Sequence, residues 1–241
     1  MELAAGAAYA GARSLVTMKQ VGLNVASDPL MSLEYVGVKG GMVILVADDP
    51  GPISSQTEQD TRHFSRFSKL PCFDPSSAQE AYEMIQEAFE YSEKYGTPVF
   101  LRPTTRVCHG YASIMVKDET EYTHHQPEGF IKDSKRWVIF PRLSFMNHKK
   151  IEARNQELSD IFSSYEKNTI HPSCDAFKDS KKGIATGGIS YTYTMETLKK
   201  TGMVKTLKIA TPHPFPEKLA VDFLSGLDEV LCLEELDPVI E

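Results

Sequence analysis

Closely spaced cysteine is what this chain most plainly lacks. Its 241 residues contain four cysteines, Cys72, Cys108, Cys174 and Cys232. None belongs to a Cys-x-x-Cys pair, so the spacing typical of zinc and iron-sulfur sites is missing and the four read as buried or incidental thiols. No apolar run approaches the roughly 20 residues that span a bilayer. Met1-Glu2 opens no basic and then apolar signal segment, so a cytoplasmic location without membrane partners is expected. Cationic charge is scarce as well: 26 Lys and Arg against 33 Asp and Glu leave a net charge of −7. That balance offers no counterion-releasing face and argues against a nucleic-acid partner. The seven histidines include the pair His124-His125 in a polar segment rather than at helical ligand spacing, and no metal site is expected of this chain.

What is present is ordinary for a globular protein, with 41% hydrophobic and 24% charged residues and enough chain for one large or two modest domains. The stretch 41–60 organises the rest. An unbroken apolar run at 42–46 has the character of a strand covered on both faces. It stops at Ala47-Asp48-Asp49-Pro50-Gly51-Pro52, and polar residues follow: Ser54, Ser55, Gln56, Glu58, Gln59 and Asp60. Beyond the carboxyl ends of such strands is where open α/β sheets collect ligands. A solvated loop, capped by Ser54 or Ser55 ahead of a helix through Arg62 and Phe67, accounts for the same residues equally well.

Upstream, the Ala- and Gly-rich residues 2–12 suit a closely packed helix, but no capping residue precedes them, so the chain is expected to begin inside an element. A short strand over 14–18 leads through a turn, Lys19-Gln20-Val21-Gly22-Leu23-Asn24, into a helix reaching about residue 37. The turn matches no phosphate-cradling loop. Downstream, Ser77 with Glu80 predicts a capping box at the start of a helix with apolar Ala81, Ile85, Ala88 and Phe89, ending at Tyr95-Gly96. A strand over 97–101 closes with Arg102-Pro103-Thr104-Thr105-Arg106. Those arginines suit a carboxylate or phosphate, though pairing with acids of the same protein is the commoner fate.

Strands alternating with helices predict an α/β fold with a doubly wound parallel sheet. Residues 107–141 lose the helical period and read as an excursion, with 137–140 docking on a neighbour. A charged helix from 144 to about 168, apolar at Ile151, Leu158, Ile161 and Phe162, bridges to a second, smaller α/β unit. That unit is expected to carry strands at 183–186, 204–209 and 229–233, a Gly187-Gly188 turn, and helices at 191–201 and 217–224. It ends just after a strand and reads as cut short. The domains are expected at 1–116, 117–179 and 180–241.

The strings AAGAAYAGAR, LVTMKQVGLNVASDPLM, GVKGGMVILVADDPGP, SSQTEQD and PVFLRPTTRV, with GIATGGISYTYTMETLKKTG, PHPFPEKL and VLCLEELDPVIE near the end, resemble the alpha subunit of indolepyruvate ferredoxin oxidoreductases. The resemblance covers nearly all of the chain outside 107–179. It implies a thiamine-diphosphate-binding fold followed by a smaller transketolase C-terminal-like domain. It further implies a reaction in which an aryl 2-oxo acid is oxidatively decarboxylated to an aryl-acetyl-CoA and electrons pass through [4Fe-4S] clusters to ferredoxin. The implied partners are a beta subunit, ferredoxin, CoA and an aryl pyruvate, in an oligomer.

By the same resemblance, Thr17, Met18, Lys19, Gln20 and Asn24 lie at the cofactor's aminopyrimidine ring. Asp48, Asp49, Ser54, Ser55, Gln56, Arg102 and Arg106 lie on the substrate side. The glutamate that activates the cofactor corresponds to a position upstream of Glu2, so the catalytic residue is unassigned. The Gly-Asp-Gly motif that grips magnesium and diphosphate is not in this sequence, nor are cluster-binding cysteine repeats. A fragment, inactive alone and holding no cofactor completely, is therefore expected. Pyruvate-using relatives carry an arginine near the position of Asp49; here an acid leaves Lys19, Arg102 or Arg106 to meet the substrate carboxylate. Two alternatives stand beside this reading: a thiamine-dependent decarboxylase or transferase component, and a non-catalytic α/β interaction module.

Overall fold

The computed structural model describes residues 1–51, 53, 55–122 and 125–241. Its first sheet contains β1 (Ser14–Lys19), β2 (Met42–Ala47), β3 (Cys72–Phe73) and β4 (Val99–Leu101), in the order β1-β2-β4-β3 with every pairing parallel. Met42, Val43, Ile44 and Val46 of β2 have no exposure. Both faces of this strand are covered, which is why it is apolar throughout instead of alternating. On one face pack α1 (Glu2–Tyr9) and α2 (Gln20–Val36), which bring Ala8, Leu23, Leu30 and Leu33 against Ile44 and Val46. After α3 (Thr61–Ser68), the opposite face is covered by α4 (Ala78–Tyr95), whose Met84 and Ala88 meet Val43, Val99 and Leu101. The doubly wound parallel sheet expected from the alternation is thus formed.

Several local expectations need correction. There is no separate turn at 19–24: Lys19, in extended conformation, is the N-cap, and Gln20 already begins α2. The cap of α3 is Asp60, whose carboxylate accepts the Arg62 backbone N–H at 2.9 Å, and not Ser55; Ser54 lies outside the described residues. At α4, Ser77 Oγ accepts the Glu80 N–H at 3.2 Å, but the Glu80 carboxylate does not return to Ser77. It accepts instead from the Ser76 backbone N–H at 2.9 Å and from Ser76 Oγ at 2.7 Å, and pairs with Lys208. Half of the capping box forms, and the glutamate that would complete it is engaged by Ser76 through one oxygen and by Lys208 through the other.

After β4 come α5 (Thr105–His109), an excursion, and α6 (Ser134–Trp137). The excursion lies over the helices: Gln79 accepts the Met115 N–H at 2.7 Å, Gly129 donates to the Ala10 carbonyl at 3.0 Å, and the Trp137 ring lies 4.9 Å from that of Tyr9. Next, α7 (Pro141–Phe162) starts earlier than its apolar periodicity suggests, with Pro141 at a first position that tolerates its missing N–H. It packs on α2 and also on the second unit.

The second unit has β5 (Thr169–His171), β6 (Lys182–Gly187), α8 (Gly188–Thr201), β7 (Lys205–Ile209), α9 (Glu217–Leu224) and β8 (Glu229–Leu233), with strand order β5-β7-β6-β8. β5 is antiparallel to β7, and its three half-buried residues are too few to show a period in sequence. No turn separates β6 from α8. Gly188 makes the change of direction at φ +49, and a side chain there would stand 3.1 Å from both carboxylate oxygens of Asp74. The chain after β7 covers the edge of the first sheet: Cys72 N–H donates to His213 O at 2.7 Å and Asp74 N–H to Ala210 O at 2.8 Å. That edge is therefore closed to strand addition. Among the described residues, no helix is long and apolar enough to cross a membrane.

Candidate functional site

Parallel register lines up the carboxyl ends of the first sheet. Lys19 pairs with Ala47 and Leu45 with Leu101, so Gln20, Asp48 and Arg102 leave the sheet next to one another, and Asp74 follows β3 at the far side. The loop after β2 returns to its start. The Asp48 carboxylate accepts the Thr61 N–H at 2.9 Å and Thr61 Oγ1 at 2.5 Å, which joins the two ends of the 48–61 loop.

Beneath this loop lies a buried group of charges. Arg102, 1% exposed, donates from Nε to Asp48 at 2.6 Å, faces Asp74 at 3.3 Å and stands 3.6 Å from Asp60. Burial would lower the pKa of this guanidinium, but the carboxylates of Asp74, Asp48 and Asp60 outweigh it and hold the pKa well above its ordinary value. Burial pushes the Asp74 carboxyl up to about 6, against the pull of Arg102 and Arg62. At Asp60 burial again opposes ionisation, yet hydrogen bonds from Arg62 and the charge of Arg102 prevail, and its pKa is lowered. Among these residues Arg102 is a buried internal counterion and Asp48 a loop clasp.

The loop itself is braced by short polar contacts. Asp49 accepts from Thr105 Oγ1 at 2.7 Å and from the Ile53 N–H at 3.1 Å, and Gly51 N–H donates to Glu58 at 2.6 Å. Gln20 Nε2 donates to the Thr57 carbonyl at 3.3 Å, while its Oε1 is buried with no hydrogen-bond partner. Asn24 and Gln59 exchange two hydrogen bonds, at 3.1 and 2.9 Å. Thr17, Asn24, Gln56 and Arg106 are exposed, Met18, Lys19 and Ser55 half-buried, and Gln20, Asp48, Asp49 and Arg102 buried. Of the residues expected at the cofactor, Gln20 and Asn24 touch the 48–61 loop, through Thr57 and Gln59, which are not among the residues expected on the substrate side. Arg106, on α5, stands apart from those contacts.

Sequence reasoning passed over Arg62, Asp74, Thr61, Thr105 and Glu234. Asp74 carried a signal, since it follows β3 as Asp48 follows β2. Arg62 and Glu234 carried none: their guanidinium and carboxylate meet at 2.7 Å from positions 172 apart in the chain. Among the described residues no group of three or more His, Cys, Asp or Glu side chains could hold a metal ion.

Residues 1–176 match the family described as pyruvate flavodoxin/ferredoxin oxidoreductase, thiamine diphosphate-binding. An indolepyruvate oxidoreductase subunit IorA from Methanothermobacter thermautotrophicus is 42% identical over 243 residues, covering 100% of this chain and 38% of the relative. The subunit of the same name from Pyrococcus abyssi is 41% identical over 245 residues, with 100% and 37% covered. The chain therefore spans little more than a third of the length of these relatives. Among solved structures, a 2-oxoglutarate:ferredoxin oxidoreductase from Magnetococcus marinus superposes with a TM-score of 0.67 at 16% identity, over 96% of this chain and 47% of that one. A split-gene transketolase gives 0.58 at 15% identity, over 98% and 62%. These two likenesses are of fold, and they agree with the expected α/β class.

Proposed function

The chain belongs to the pyruvate flavodoxin/ferredoxin oxidoreductase family, in its thiamine diphosphate-binding part, and on that premise we propose that it is part of a cytoplasmic indolepyruvate:ferredoxin oxidoreductase. In this reading the complete enzyme oxidatively decarboxylates an aryl 2-oxo acid to the aryl-acetyl-CoA. The observation that carries it is the 42% identity, along the whole chain, to a subunit named for indolepyruvate.

Gln20 Oε1 is a buried acceptor without a partner at the start of α2. That fits the amino group of the cofactor's pyrimidine ring, because an unpaired buried acceptor gains most from a donor. Thr17, Met18, Lys19 and Asn24 would line the same ring. When bound, thiamine diphosphate supplies the carbon nucleophile for the oxo carbon and takes up the electron pair left by carbon dioxide. The 48–61 loop supplies a wall that keeps water from the reacting carbon. Lys19, half-buried at the N-cap of α2, is the cation assigned to the substrate carboxylate, a role for which Arg102, enclosed by three carboxylates, is not placed. In this reading magnesium and the [4Fe-4S] clusters are held in the complete enzyme, whose partners are a beta subunit, ferredoxin, CoA and the aryl pyruvate.

In the complete enzyme, indolepyruvate is expected to release carbon dioxide only as ferredoxin is reduced, and Lys19→Ala to raise the KM for indolepyruvate about tenfold, the size of one lost charge-assisted hydrogen bond. Carbon dioxide release without ferredoxin would point to a decarboxylase instead. An unchanged KM would remove Lys19 from the site.

A further inference from the structure

The two charged ends of the 48–61 loop are not held by the first sheet alone. Arg62, 2% exposed, spreads its guanidinium over two units of the fold. Nε meets both Asp60 oxygens at 3.0 Å and Nη2 meets one of them at 2.6 Å. Nη1 donates to Glu234 at 2.7 Å, and Nη2 also donates to the carbonyls of Glu235 and Asp237 at 2.8 and 2.9 Å. Glu234, just past β8, gathers the backbone N–H groups of Val239, Ile240 and Glu241 at 2.9 to 3.2 Å. Residues 234–241 are thereby wound around one carboxylate whose remaining bond goes to Arg62.

We propose that Arg62 is a positioning residue through which the 234–241 segment of the second unit sets the 48–61 loop. Asp60 is the last loop residue before α3 and its cap, so moving Asp60 moves the loop's end. Arg102 stands 3.6 Å from the same Asp60 carboxylate and holds Asp48, the loop's first residue. Arg62 thus bonds Asp60 at one end of the loop and Arg102 bonds Asp48 at the other, with Arg102 Nη2 in charge contact with Asp60 at 3.6 Å, and Arg62 is anchored in the second unit. Only a planar fork with several donors serves this geometry; a single ammonium at position 62 could not reach Asp60, Glu234 and two carbonyls together. All the side chains involved are almost wholly buried, so the contacts are little screened by solvent and a displacement at one end is felt at the other.

The importance of this coupling to catalysis rests on the proposed placement of the loop beside the substrate; the coupling itself does not. The test uses the complete enzyme with Glu234→Gln and, separately, Arg62→Lys, both milder than truncation to alanine. Hydrogen exchange is followed in peptides from 48–61 and from 234–241, beside steady-state kinetics. Both variants are expected to exchange about tenfold faster across 48–61, as the loss of one charged hydrogen bond allows, with the oxo-acid KM rising more than kcat falls. If only 234–241 loosens and 48–61 exchanges as in the parent, the ion pairs are merely structural and the proposal is overturned. Faster exchange in 48–61 with an unchanged KM supports the coupling and instead removes the loop from the substrate site.

Discussion

The Glu80 carboxylate, in the first turn of α4, meets the Lys208 ammonium on β7, and the pair joins the two sheets. Lys208 is 4% exposed, and its ammonium also lies 4.5 Å from the centroid of the Tyr191 ring. The Coulombic attraction between Glu80 and Lys208, with the Glu80 bonds from Ser76, holds the Glu80 carboxyl below its ordinary pKa although burial pushes the other way. The residue that a local motif assigns to helix capping has therefore been taken for contact between the two units.

That reassignment is measurable. Ser77→Ala is expected to cost about 1 kcal/mol through its lost cap. In a double-mutant cycle it should be additive with Glu80→Ala to within about 0.5 kcal/mol. Glu80→Ala with Lys208→Ala should instead show a coupling of about 1.5 kcal/mol or more, as expected of a largely buried charge pair. Denaturant unfolding of the three single variants, the two double variants and the parent gives both numbers. Equal couplings would restore the capping box.

Arg102→Met leaves Asp48 and Asp74 buried without their counterion and is expected to destabilise the protein by about 3–5 kcal/mol. Arg102→Lys, which keeps the charge but loses the fork, should fall between this variant and the parent. Urea midpoints at neutral pH check the order. A neutral Arg102→Met would mean that these carboxylates are reached by water.

Glu34 supplies a pH dependence. It is 3% exposed, accepts from Arg154 at 2.7 Å and from Thr97 at 3.2 Å, and burial raises its carboxyl from the ordinary 4.5 to about 7, with the Arg154 pairing offsetting only part of the rise. Between these two values the folded protein keeps a proton that the unfolded chain releases. The contribution is thus complete below 4.5 and is lost as pH climbs to about 7, on the order of 3 kcal/mol. Glu34→Gln should flatten the fall of melting temperature across that window. A slope identical to the parent's would assign it to other groups.

Gly188→Ala tests the close join between β6 and α8. The new methyl would stand 3.1 Å from both Asp74 carboxylate oxygens on a backbone with φ +49. A loss of about 1–3 kcal/mol is expected from strain and crowding together. Thermal unfolding measures it, and a stable variant would show that the Asp74 side chain moves aside freely.

Much of the architecture was legible because it is written in local order. The uninterrupted apolar run of β2, the α4 period ending at Gly96, and the spacing of α9 and β8 each follow from which side chains one short element must bury. Where local order was thin, the reading slipped. β5 has three residues, the cap of α3 could be any of several polar neighbours, and Gly187-Gly188 carries the ordinary signature of a turn but lies in a direct passage from strand to helix.

The candidate site divides along the same line. Its position beyond the ends of β1 and β2 follows from strand and helix alternation, and the crowd of polar residues from Asp48 to Asp60 is visible in the chain itself. The partners of those residues are not. Asp48 and Arg102 lie 54 positions apart, and Arg62 and Glu234 lie 172 apart. Periodicity reports which face of an element turns inward, because burial acts residue by residue. Which buried acid meets which buried base depends on how whole elements come together, and only the packed chain decides that.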